Sequence, residues 1–468
     1  MKQLLLILSI ILLSSTFSAL SQSVNSTYFL NEWSQRSSLN ASFAPEYGYF
    51  SLPVLGGINM SFNASDGVST FLYKNGSDFV SFLNRNVDLE TFNSKFVHDF
   101  SLNQAMNLNL LSFGFYTPAN SFWSFGMNLK QSASLNLPVD MFRLPKLGMQ
   151  NSSLNSYDLK SLRFELINIL QTSLTYSREI SPNLRLGVGL KLLIGLPSAR
   201  FNYTQFDVNM ADTRYEVNAK SQFFVYDNMI TIPVDANNNY LFEDSKFNPL
   251  NFKTAGSGFA FDIGATYKPL DKLTLALAFN DIGNLTWNAP SVIQGVSNSS
   301  FSFAGFSDID MDSLSLTDDK ITALISDAQG LLQFKKEAVN DAYNELIPFT
   351  MHLSAEYALV KSKNFEISLG LLWNHYNATT YKGNYLVSAL NIKPFSWFTI
   401  SGTAQLLGKN ANRYGLALNF SPRWINLYIA SDYITPKLNT SFLPISGESA
   451  NISLGGSFVL GKSKYREK

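Results

Sequence analysis

The amino-acid sequence predicts an all-β fold, an antiparallel transmembrane β-barrel of about 14 strands (12–16) with one or two amphipathic loop helices. Three observations support this prediction. Apolar side chains recur at every second position in many short runs, and the positions between them hold mainly small or uncharged residues. Charged residues make up only 15% of the 468 residues, whereas ordinary soluble domains contain about 25%. A chain with so few charges is poorly suited to a large water-facing surface.

Residues 256–283 (GSGFAFDIGATYKPLDKLTLALAFNDIG) show this alternation in two halves separated by a turn. Successive side chains of a strand point to opposite faces, so the pattern predicts a β-hairpin with one apolar face. Because lipid supplies no hydrogen-bond partner to an open strand edge, a membrane-spanning sheet must close into a barrel. We expect acyl chains around Phe259, Phe261, Leu275 and Leu277, and the lumen at Gly258, Asp262, Thr274 and Asn280. The glycines and alanines of the inner face leave room inside the barrel.

Residues 100–129 contain no charged residue and are the strongest candidate for a transmembrane helix. They nevertheless carry several asparagines and Pro118, and their second half alternates as a strand does. Two strands joined near residues 117–120 are therefore predicted. Similar alternation occurs at residues 184–194, 351–359, 365–373, 413–420 and 451–460. These runs of about eight to eleven residues suit a tilted membrane-spanning strand.

The first 21 residues are a predicted secretory signal peptide, because Lys2 precedes an apolar run that ends in small residues typical of a cleavage site. We divide the remainder into an N-terminal periplasmic or lumen-plugging segment (22–57), the outer-membrane barrel (58–461) and a basic C-terminal tail (462–468). The chain has no cysteine. This composition excludes disulfides and suits a bacterial cell envelope, so the predicted location is the bacterial outer membrane.

Short turns such as residues 181–183 contrast with the long segments 226–255 and 284–346. Short turns on one rim and long loops on the other are typical of outer-membrane barrels. Residues 317–346 and, more weakly, residues 77–97 have apolar side chains at helical spacing. These two segments are interpreted either as amphipathic loop helices packed on the rim or as a lid or plug that controls the lumen.

Two stretches carry a family resemblance. GSGFAFDIGATYKP followed by LTLALAFNDIGNLTW (256–287) resembles a hairpin of the FadL-like fatty-acid-transporter barrels. PorV-type barrels of the type IX secretion system have a similar Gly-x-x-x-Asp-x-Gly-x-x-Tyr-x-Pro pattern. Residues 38–63 (SLNASFAPEYGYFSLPVLGGINMSFN) are similar to the N-terminal signature of an uncharacterised family within that group. The resemblance implies a fourteen-strand barrel whose N-terminal segment can enter the lumen, and it implies no substrate.

Ionisable residues on the predicted lumen face are the candidate site residues, namely Arg185, Lys191, Asp262, His352, Glu356, Glu366 and Arg413. If residues 184–194 and 257–267 form strands that approach each other, Arg185 or Lys191 can pair with Asp262. Two interpretations stay open. The charges form an internal salt-bridge network that neutralises a narrow lumen, or they form a cationic site for an anionic or amphipathic solute.

No metal, cofactor or catalytic site is predicted. Residues 235–246 place Asp235 at the first position of an EF-hand-like loop, but Tyr240 stands where the sharp turn needs glycine and Lys246 where the loop needs glutamate. An exposed Asn-rich turn is the favoured alternative. The three histidines belong to no hydrolase or metalloprotease motif, and a formal net charge of zero gives no reason to expect a nucleic-acid partner.

The sequence therefore predicts a non-enzymatic outer-membrane barrel that passes or binds hydrophobic or amphipathic small molecules. Its expected partners are outer-membrane lipid and a hydrophobic small-molecule ligand. The alternative function is a secretion-linked docking barrel whose loops bind protein partners. A soluble secreted β-protein is a third hypothesis, which cell fractionation tests.

Overall fold

Fourteen antiparallel strands close into a barrel, with a second group of strands extending beyond one rim. The computed structural model describes residues 25–53, 55–75, 78–147, 156–211, 214–303, 330, 333–339, 341–362, 364–377, 382–407, 413–434 and 449–461. The strands are β1 (Gly48–Ser51), β2 (Ile58–Ala64), β3 (Leu72–Asn75), β4 (Asp78–Ser81), β5 (Phe100–Tyr116), β6 (Ser121–Leu137), β7 (Ser156–Asp158), β8 (Arg163–Ser181), β9 (Leu184–Gly195), β10 (Ser198–Ala211), β11 (Arg214–Tyr226), β12 (Ile230–Thr231), β13 (Lys246–Phe247), β14 (Gly256–Leu270), β15 (Leu273–Trp287), β16 (Val292–Phe303), β17 (Lys335–Glu337), β18 (Tyr343–Leu346), β19 (Phe349–Lys361), β20 (Glu366–Asn377), β21 (Lys382–Phe395), β22 (Phe398–Leu407), β23 (Tyr414–Phe420), β24 (Ile425–Ser431) and β25 (Ser449–Leu460).

The helices are short. They are the α-helices α1 (Leu89–Lys95) and α2 (Asp140–Leu147), and the 3-10 helices Asn25–Thr27, Arg36–Ser38, Val68–Thr70, Phe242–Asp244, Pro249–Asn251 and Ala289–Ser291. Within the described part of the chain, no helix is long and apolar enough to cross a membrane.

The barrel closes between its last and first strands. β25 pairs antiparallel with β1 and β2, and these two short strands pair in turn with β5. From there the wall runs β5, β6, β8, β9, β14, β15, β19, β20, β21, β22, β23, β24 and back to β25. Strand pairing begins at Gly48, within the range 22–57 that the sequence assigned to an N-terminal segment.

Tight turns join the strands at one rim, which we call the short-turn rim. The charge-free residues 100–129 form parts of β5 and β6, joined by a turn in which Asn120 adopts a φ of 56°. The prediction of two strands rather than a helix is therefore confirmed. Two residues each join β8 to β9 and β14 to β15. The opposite, long-loop rim faces the cell exterior, because outer-membrane barrels keep their short turns in the periplasm.

The two faces of the wall differ as predicted. On β14, Phe259 is 63% exposed, whereas Ala260 and Asp262 are 1% exposed. The outward positions of β9 and β19 are also large and apolar, including Leu190 and Leu353. A closed barrel with an apolar exterior satisfies all backbone hydrogen bonds internally and presents hydrocarbon to hydrocarbon. The chain is therefore a bacterial outer-membrane β-barrel.

Some of the residues that the sequence predicted to form long loops instead form strands that extend the sheet. β10 pairs with the outer end of β8 and continues beyond the rim, and β11, β16 and β17 follow it side by side. We call these four strands the projecting sheet. The long segment 284–346 thus contains the end of β15 and all of β16, because the edge of β11 supplies hydrogen-bond partners that sequence periodicity does not reveal.

The two helix predictions had different outcomes. In residues 317–346, the apolar spacing that predicted a helix lies at 321–332, outside the described residues except for Gly330. In the described residues 333–339 and 341–346, the regular secondary structure consists of the strands β17 and β18, so the helix prediction is wrong there. β18 extends the wall by pairing with β15.

In residues 77–97, the predicted helix is confirmed as α1, which follows the short strand β4. The second α-helix, α2, was not predicted; its Phe142 packs on Phe96 of the α1 region with ring centroids 5.2 Å apart.

Candidate functional site

The N-terminal lumenal segment (residues 25–43) lies inside the barrel. Its side chains hydrogen-bond to lumen-facing residues of widely separated strands: the Tyr28 hydroxyl lies 3.0 Å from Ser354 Oγ on β19, and Ser37 Oγ lies 3.1 Å from Ser124 Oγ on β6. Leu30 is fully buried within the segment. The segment therefore occupies much of the volume that the small inner-face residues leave open.

Glycines on the wall permit this close approach. A Cβ atom at Gly187 would lie 2.1 Å from the carbonyl oxygen of Ala41, and one at Gly370 would lie 2.6 Å from the Phe29 ring. Both distances are shorter than any real contact of a Cβ atom. The glycines of the inner face thus match the path of the segment, which explains why the polar strand positions are so small.

Charged groups hold the segment at two levels. The Asp432 carboxylate accepts hydrogen bonds from the backbone N–H groups of Asn25 and Ser26, at 2.6 Å and 2.8 Å. Nearer the short-turn rim, Glu32 pairs with Lys393 and accepts a hydrogen bond from Thr399 Oγ1 at 2.9 Å. Because Asp432 is buried, its carboxylate depends on these donors for solvation.

A cavity of about 280 Å³ remains between the segment and the wall. Its walls differ in chemistry. One region is lined by amide and charged side chains, and another by apolar ones. The polar lining includes Asn107, Asn128, Lys130, Gln171, Lys191 and Asp281, and the apolar lining includes Ile167, Ile169, Leu193 and Ile347. The cavity is therefore amphipathic, with a volume at the small end of ligand sites.

A cluster of four charged side chains, the charge cluster, lies on the cavity wall. Lys191 Nζ lies 2.7 Å from Asp262 Oδ1 and 2.7 Å from Asp281 Oδ1, and Lys130 Nζ lies 3.1 Å from Asp281 Oδ2. The side chains of Lys191 and Asp262 are 6% and 1% exposed, whereas that of Lys130 is 32% exposed. The pair at the wall is thus desolvated, and Lys130 is the most exposed member of the cluster.

A β-bulge brings Asp281 into this cluster. Asp281 has a φ of 61°, and the pairing of β14 with β15 shifts between Phe261 and Ile263. As a result, Asn280 and Asp281 both face the lumen, and the Asp281 N–H donates to Asp262 Oδ1 at 2.8 Å. Bulges commonly re-aim side chains in this way, and a non-glycine residue in this conformation is strained.

The sequence prediction missed Asp281 and Lys130. Strict alternation assigns Asp281 to the lipid-facing positions of β15, where a charged side chain is destabilising. That conflict is itself a signal, because a charged residue at a lipid-facing position implies a bulge. Lys130 belongs to the polar set of β6 but was not singled out.

The other predicted site residues lie elsewhere in the lumen. Arg185 Nη1 lies 3.4 Å from Glu179 Oε1, so Lys191 and not Arg185 pairs with Asp262. His352 Nδ1 lies 2.5 Å from Asn374 Oδ1, close to the start of the lumenal segment. Glu356 Oε1 accepts a hydrogen bond from Ser368 Oγ at 2.6 Å.

The last two candidates lie near strand ends. Glu366 begins β20 and stands opposite Lys393 in the register with β21. Arg413 precedes β23, with its guanidinium 4.5 Å from the centroid of the Tyr433 ring. Of the seven predicted residues, the structure therefore brings only Lys191 and Asp262 into direct contact through an ion pair.

The Asn-rich loop that resembles a calcium site uses its carboxylate locally. Asp235 accepts hydrogen bonds from the backbone N–H groups of Asn237 and Asn239, both at 2.8 Å, and from the Asn239 side chain at 2.9 Å. The hydrogen bond from the Asn239 side chain is the main cause that lowers the pKa of Asp235. Among the described residues, no group of three or more His, Asp or Glu side chains could hold a metal ion.

Fold and lumen together define the class: a fourteen-strand outer-membrane barrel with a chain segment and a charged, amphipathic cavity inside. The chain belongs to a family of unknown function (DUF5723), whose model matches residues 41–432. Comparison with curated proteins gives no match.

Several solved barrels are similar to this chain. The toluene transporter TbuX from Ralstonia pickettii is 6% identical, with a TM-score of 0.39 and 95% of each chain covered. The P. putida toluene transporter TodX is 9% identical, with a TM-score of 0.39 and 96% of each chain covered. A Pseudomonas aeruginosa FadL homologue is 9% identical, with a TM-score of 0.36 and 92% of each chain covered. The chain thus resembles FadL-family barrels, as predicted, but similarity at these levels says nothing of its ligand. The PorV likeness stays a prediction.

Proposed function

We propose that this barrel binds and passes amphipathic small molecules, and that the lumenal segment controls their passage. The observation that carries the proposal is the amphipathic cavity, in which an apolar region adjoins a charged and amide-rich one. A purely apolar solute would displace water from the amide and charged groups without offering them a hydrogen bond, which is costly in a site shielded from water. The lining therefore favours a solute with one polar end.

Lys130 is the group best placed to bind that polar end. An ammonium group has three donors, and among the residues that the structure describes, only Asp281 engages the Lys130 side chain. The side chain lines the cavity and is 32% exposed. A carboxylate or hydroxyl oxygen of a solute can accept a hydrogen bond from it without breaking the buried pair between Lys191 and Asp262.

The apolar end of the solute would pack on the outer part of the cavity. Ile167 and Leu193 project from β8 and β9, and Ile347 lies at the junction of β18 and β19. Trp287 packs with Ile167 and Leu193 in one apolar cluster near the long-loop rim. A solute entering from outside would therefore meet apolar side chains first and the charge cluster deeper in the lumen.

Passage to the periplasm requires the lumenal segment to move. The segment lies between the cavity and the short-turn rim, where Glu32 and Lys393 hold it. Its contacts with the wall are of two kinds. Small polar side chains form hydrogen bonds, such as Ser42 Oγ to Thr266 Oγ1 at 2.6 Å, and apolar side chains such as Phe29, Leu30 and Trp33 pack with wall residues in a buried cluster. The hydrogen bonds exchange with water at modest net cost, whereas the apolar burial favours the closed position, so the segment suits a controlled barrier.

The test is binding of defined probes to the detergent-solubilised full chain. Octanoate and benzoate carry one charged end, octanol has one uncharged polar end, and toluene has none. We expect saturable binding of octanoate, and we expect the change Lys130→Met to weaken it about tenfold, the equivalent of one charge-assisted hydrogen bond of about 1.4 kcal/mol.

The matched control is Lys160→Met, which removes an exposed lysine outside the lumen. This variant should bind octanoate as the parent does. Absence of binding for every probe, or equal affinity in the two variants, contradicts the proposal. Tight binding of toluene alone would show that the site takes apolar solutes.

The projecting sheet favours a second candidate function, docking of a protein partner. β10 pairs with the start of β8 and continues well past it, and β11 pairs with β10 and β16, so both strands lie outside the barrel wall. Crosslinking in intact cells from a photoreactive residue at the exposed Thr204 tests this function. Recovery of a specific protein adduct supports docking, and recovery of lipid alone or of no adduct opposes it.

A further inference from the structure

We infer that an exposed loop at the long-loop rim, the rim loop (residues 246–254), docks onto the anionic headgroup layer of the outer leaflet. Every residue of the rim loop is exposed. Three of them are large and apolar: Phe247 is 63% exposed, Leu250 92% and Phe252 53%. Single exposed apolar residues are common on proteins, but three within six residues form a patch that calls for an explanation.

The backbone of the rim loop is well organised. β13 pairs with β12, so that Phe247 stands opposite Ile230. A 3-10 helix follows at Pro249–Asn251, and the Asn248 side chain accepts a hydrogen bond from the Leu250 N–H at 3.1 Å. The apolar side chains are thus presented by a defined turn and do not collapse onto the projecting sheet.

The patch is continuous with the lipid-facing belt of the barrel. Ala255 is buried and Gly256 begins β14, whose Phe259 and Phe261 face acyl chains. A chain spans at most about 3.3–3.6 Å per residue, so Phe252 lies within about 14 Å of Gly256. The rim loop therefore ends next to the outer end of a lipid-facing strand, where the inference places the headgroup layer.

The charges next to the patch suit an anionic lipid surface. Lys246 and Lys253 bracket the three apolar side chains, and both are exposed. Lysine can bury its methylene groups against acyl chains while its ammonium stays among phosphates. Glu243 and Asp244 lie before the rim loop, on the 3-10 helix Phe242–Asp244. Continuity with the belt favours lipid over a protein partner, and this inference does not depend on the proposed transport function.

The chain contains no cysteine, so a single introduced cysteine reports its own position. We would attach a nitroxide spin label at Leu250→Cys and reconstitute the full chain into vesicles of phosphatidylcholine and phosphatidylglycerol. Collision with oxygen, which concentrates in hydrocarbon, is compared with collision with a water-soluble nickel chelate. Phe259→Cys supplies the lipid-facing reference, and Glu90→Cys on α1 supplies an exposed loop reference. Folding of each variant is checked by the mobility of the unboiled protein on a detergent gel.

We expect the label at position 250 to prefer oxygen over the chelate several-fold more than the label at position 90, and less than the label at position 259. The changes Lys246→Gln and Lys253→Gln together, or replacement of phosphatidylglycerol by phosphatidylcholine, should move position 250 toward the value at position 90. A value at position 250 equal to that at position 90 overturns the inference. So does protection from both reagents, which would indicate a protein partner or a second copy, and so does insensitivity to lipid charge.

Discussion

Lys191 donates a hydrogen bond to Asp262 across 2.7 Å inside the lumen, and both side chains are almost completely shielded from water. The pair links β9 to β14 from within the wall. Asp281 accepts a second hydrogen bond from the same ammonium group at 2.7 Å. A buried pair of this kind adds little net stability, but removal of one partner leaves the others unsatisfied.

The first prediction concerns the cost of removing one partner from this buried ion pair. The change Lys191→Met should lower the free energy of unfolding by about 3–5 kcal/mol, because the carboxylates of Asp262 and Asp281 lose their common buried partner. Urea unfolding of the barrel in detergent or lipid measures the difference. Lys160→Met removes an exposed ion pair with Asp158 and should cost less than about 1 kcal/mol. Equal costs would mean that the charge cluster is solvated.

The second prediction tests the two faces of β15. Leu277 stands between Ala265 and Leu353 at an outward position, whereas Thr274 stands opposite the half-buried Glu356. Leu277→Arg should cost about 2–4 kcal/mol near the bilayer midplane, because a cation would face lipid. Thr274→Arg should cost clearly less, because its guanidinium would face the lumen. Urea unfolding of both variants in lipid vesicles measures the loss of unfolding free energy in each. A larger loss for Thr274→Arg than for Leu277→Arg would contradict the assigned faces of β15.

The third prediction concerns the lumenal segment. Gly187→Ala places a methyl group 2.1 Å from a backbone oxygen of Ala41, which no side-chain rotation relieves. The segment should therefore be displaced, and conductance of the barrel in a planar bilayer should rise. At Gly402 the nearest atom to an added Cβ is 4.0 Å away, so Gly402→Ala should leave conductance unchanged. A rise in both variants, or in neither, would show that the segment does not limit the pore.

The fourth prediction is a pH dependence at the long-loop rim. The Asp99 carboxylate accepts hydrogen bonds from the Val139 N–H at 2.9 Å and from Ser161 Oγ at 2.6 Å. Burial alone would raise the pKa of Asp99, but these hydrogen bonds outweigh it and hold the pKa below its usual value of 3.8. A lowered pKa means that the stabilisation is present above pH 3.8 and is lost as the pH falls through the folded-state value.

Hydrogen exchange of the Val139 amide, corrected for its intrinsic rate, measures this loss. Protection should decline below about pH 4 in the parent chain. The variant Asp99→Asn keeps an acceptor oxygen but cannot titrate, so its protection should be independent of pH over the same range. An identical decline in both chains would assign the effect to another group.

The comparison of sequence with structure is clearest at β14 and β15. Alternation placed Phe259 outside and Asp262 inside without any knowledge of their neighbours, because the side-chain period of a strand is a local property. The same alternation assigned Asp281 to the wrong face. A bulge depends on how two strands pair, and the pairing is settled by the whole closed sheet.

The charge cluster also separates what the sequence predicts from what the tertiary structure decides. The sequence suggested Arg185 or Lys191 as the partner of Asp262, and strand register alone decides between them, since Ala260 stands opposite Lys191 and Thr266 opposite Arg185. Lys130 joins the cluster through β6, which is not adjacent to β14 in the wall. No local pattern connects residues that meet across a lumen.

By itself, the sequence determined the barrel class, the approximate strand number and the two faces of each strand, because these follow from the alternation of neighbouring residues and from the need of a membrane sheet to close. Only the tertiary structure decided which charges meet, that Asp281 turns inward, and that residues 25–43 run along inner-face glycines such as Gly187. Those features depend on contacts between residues far apart in the chain, whose distances are set by strand register and barrel closure.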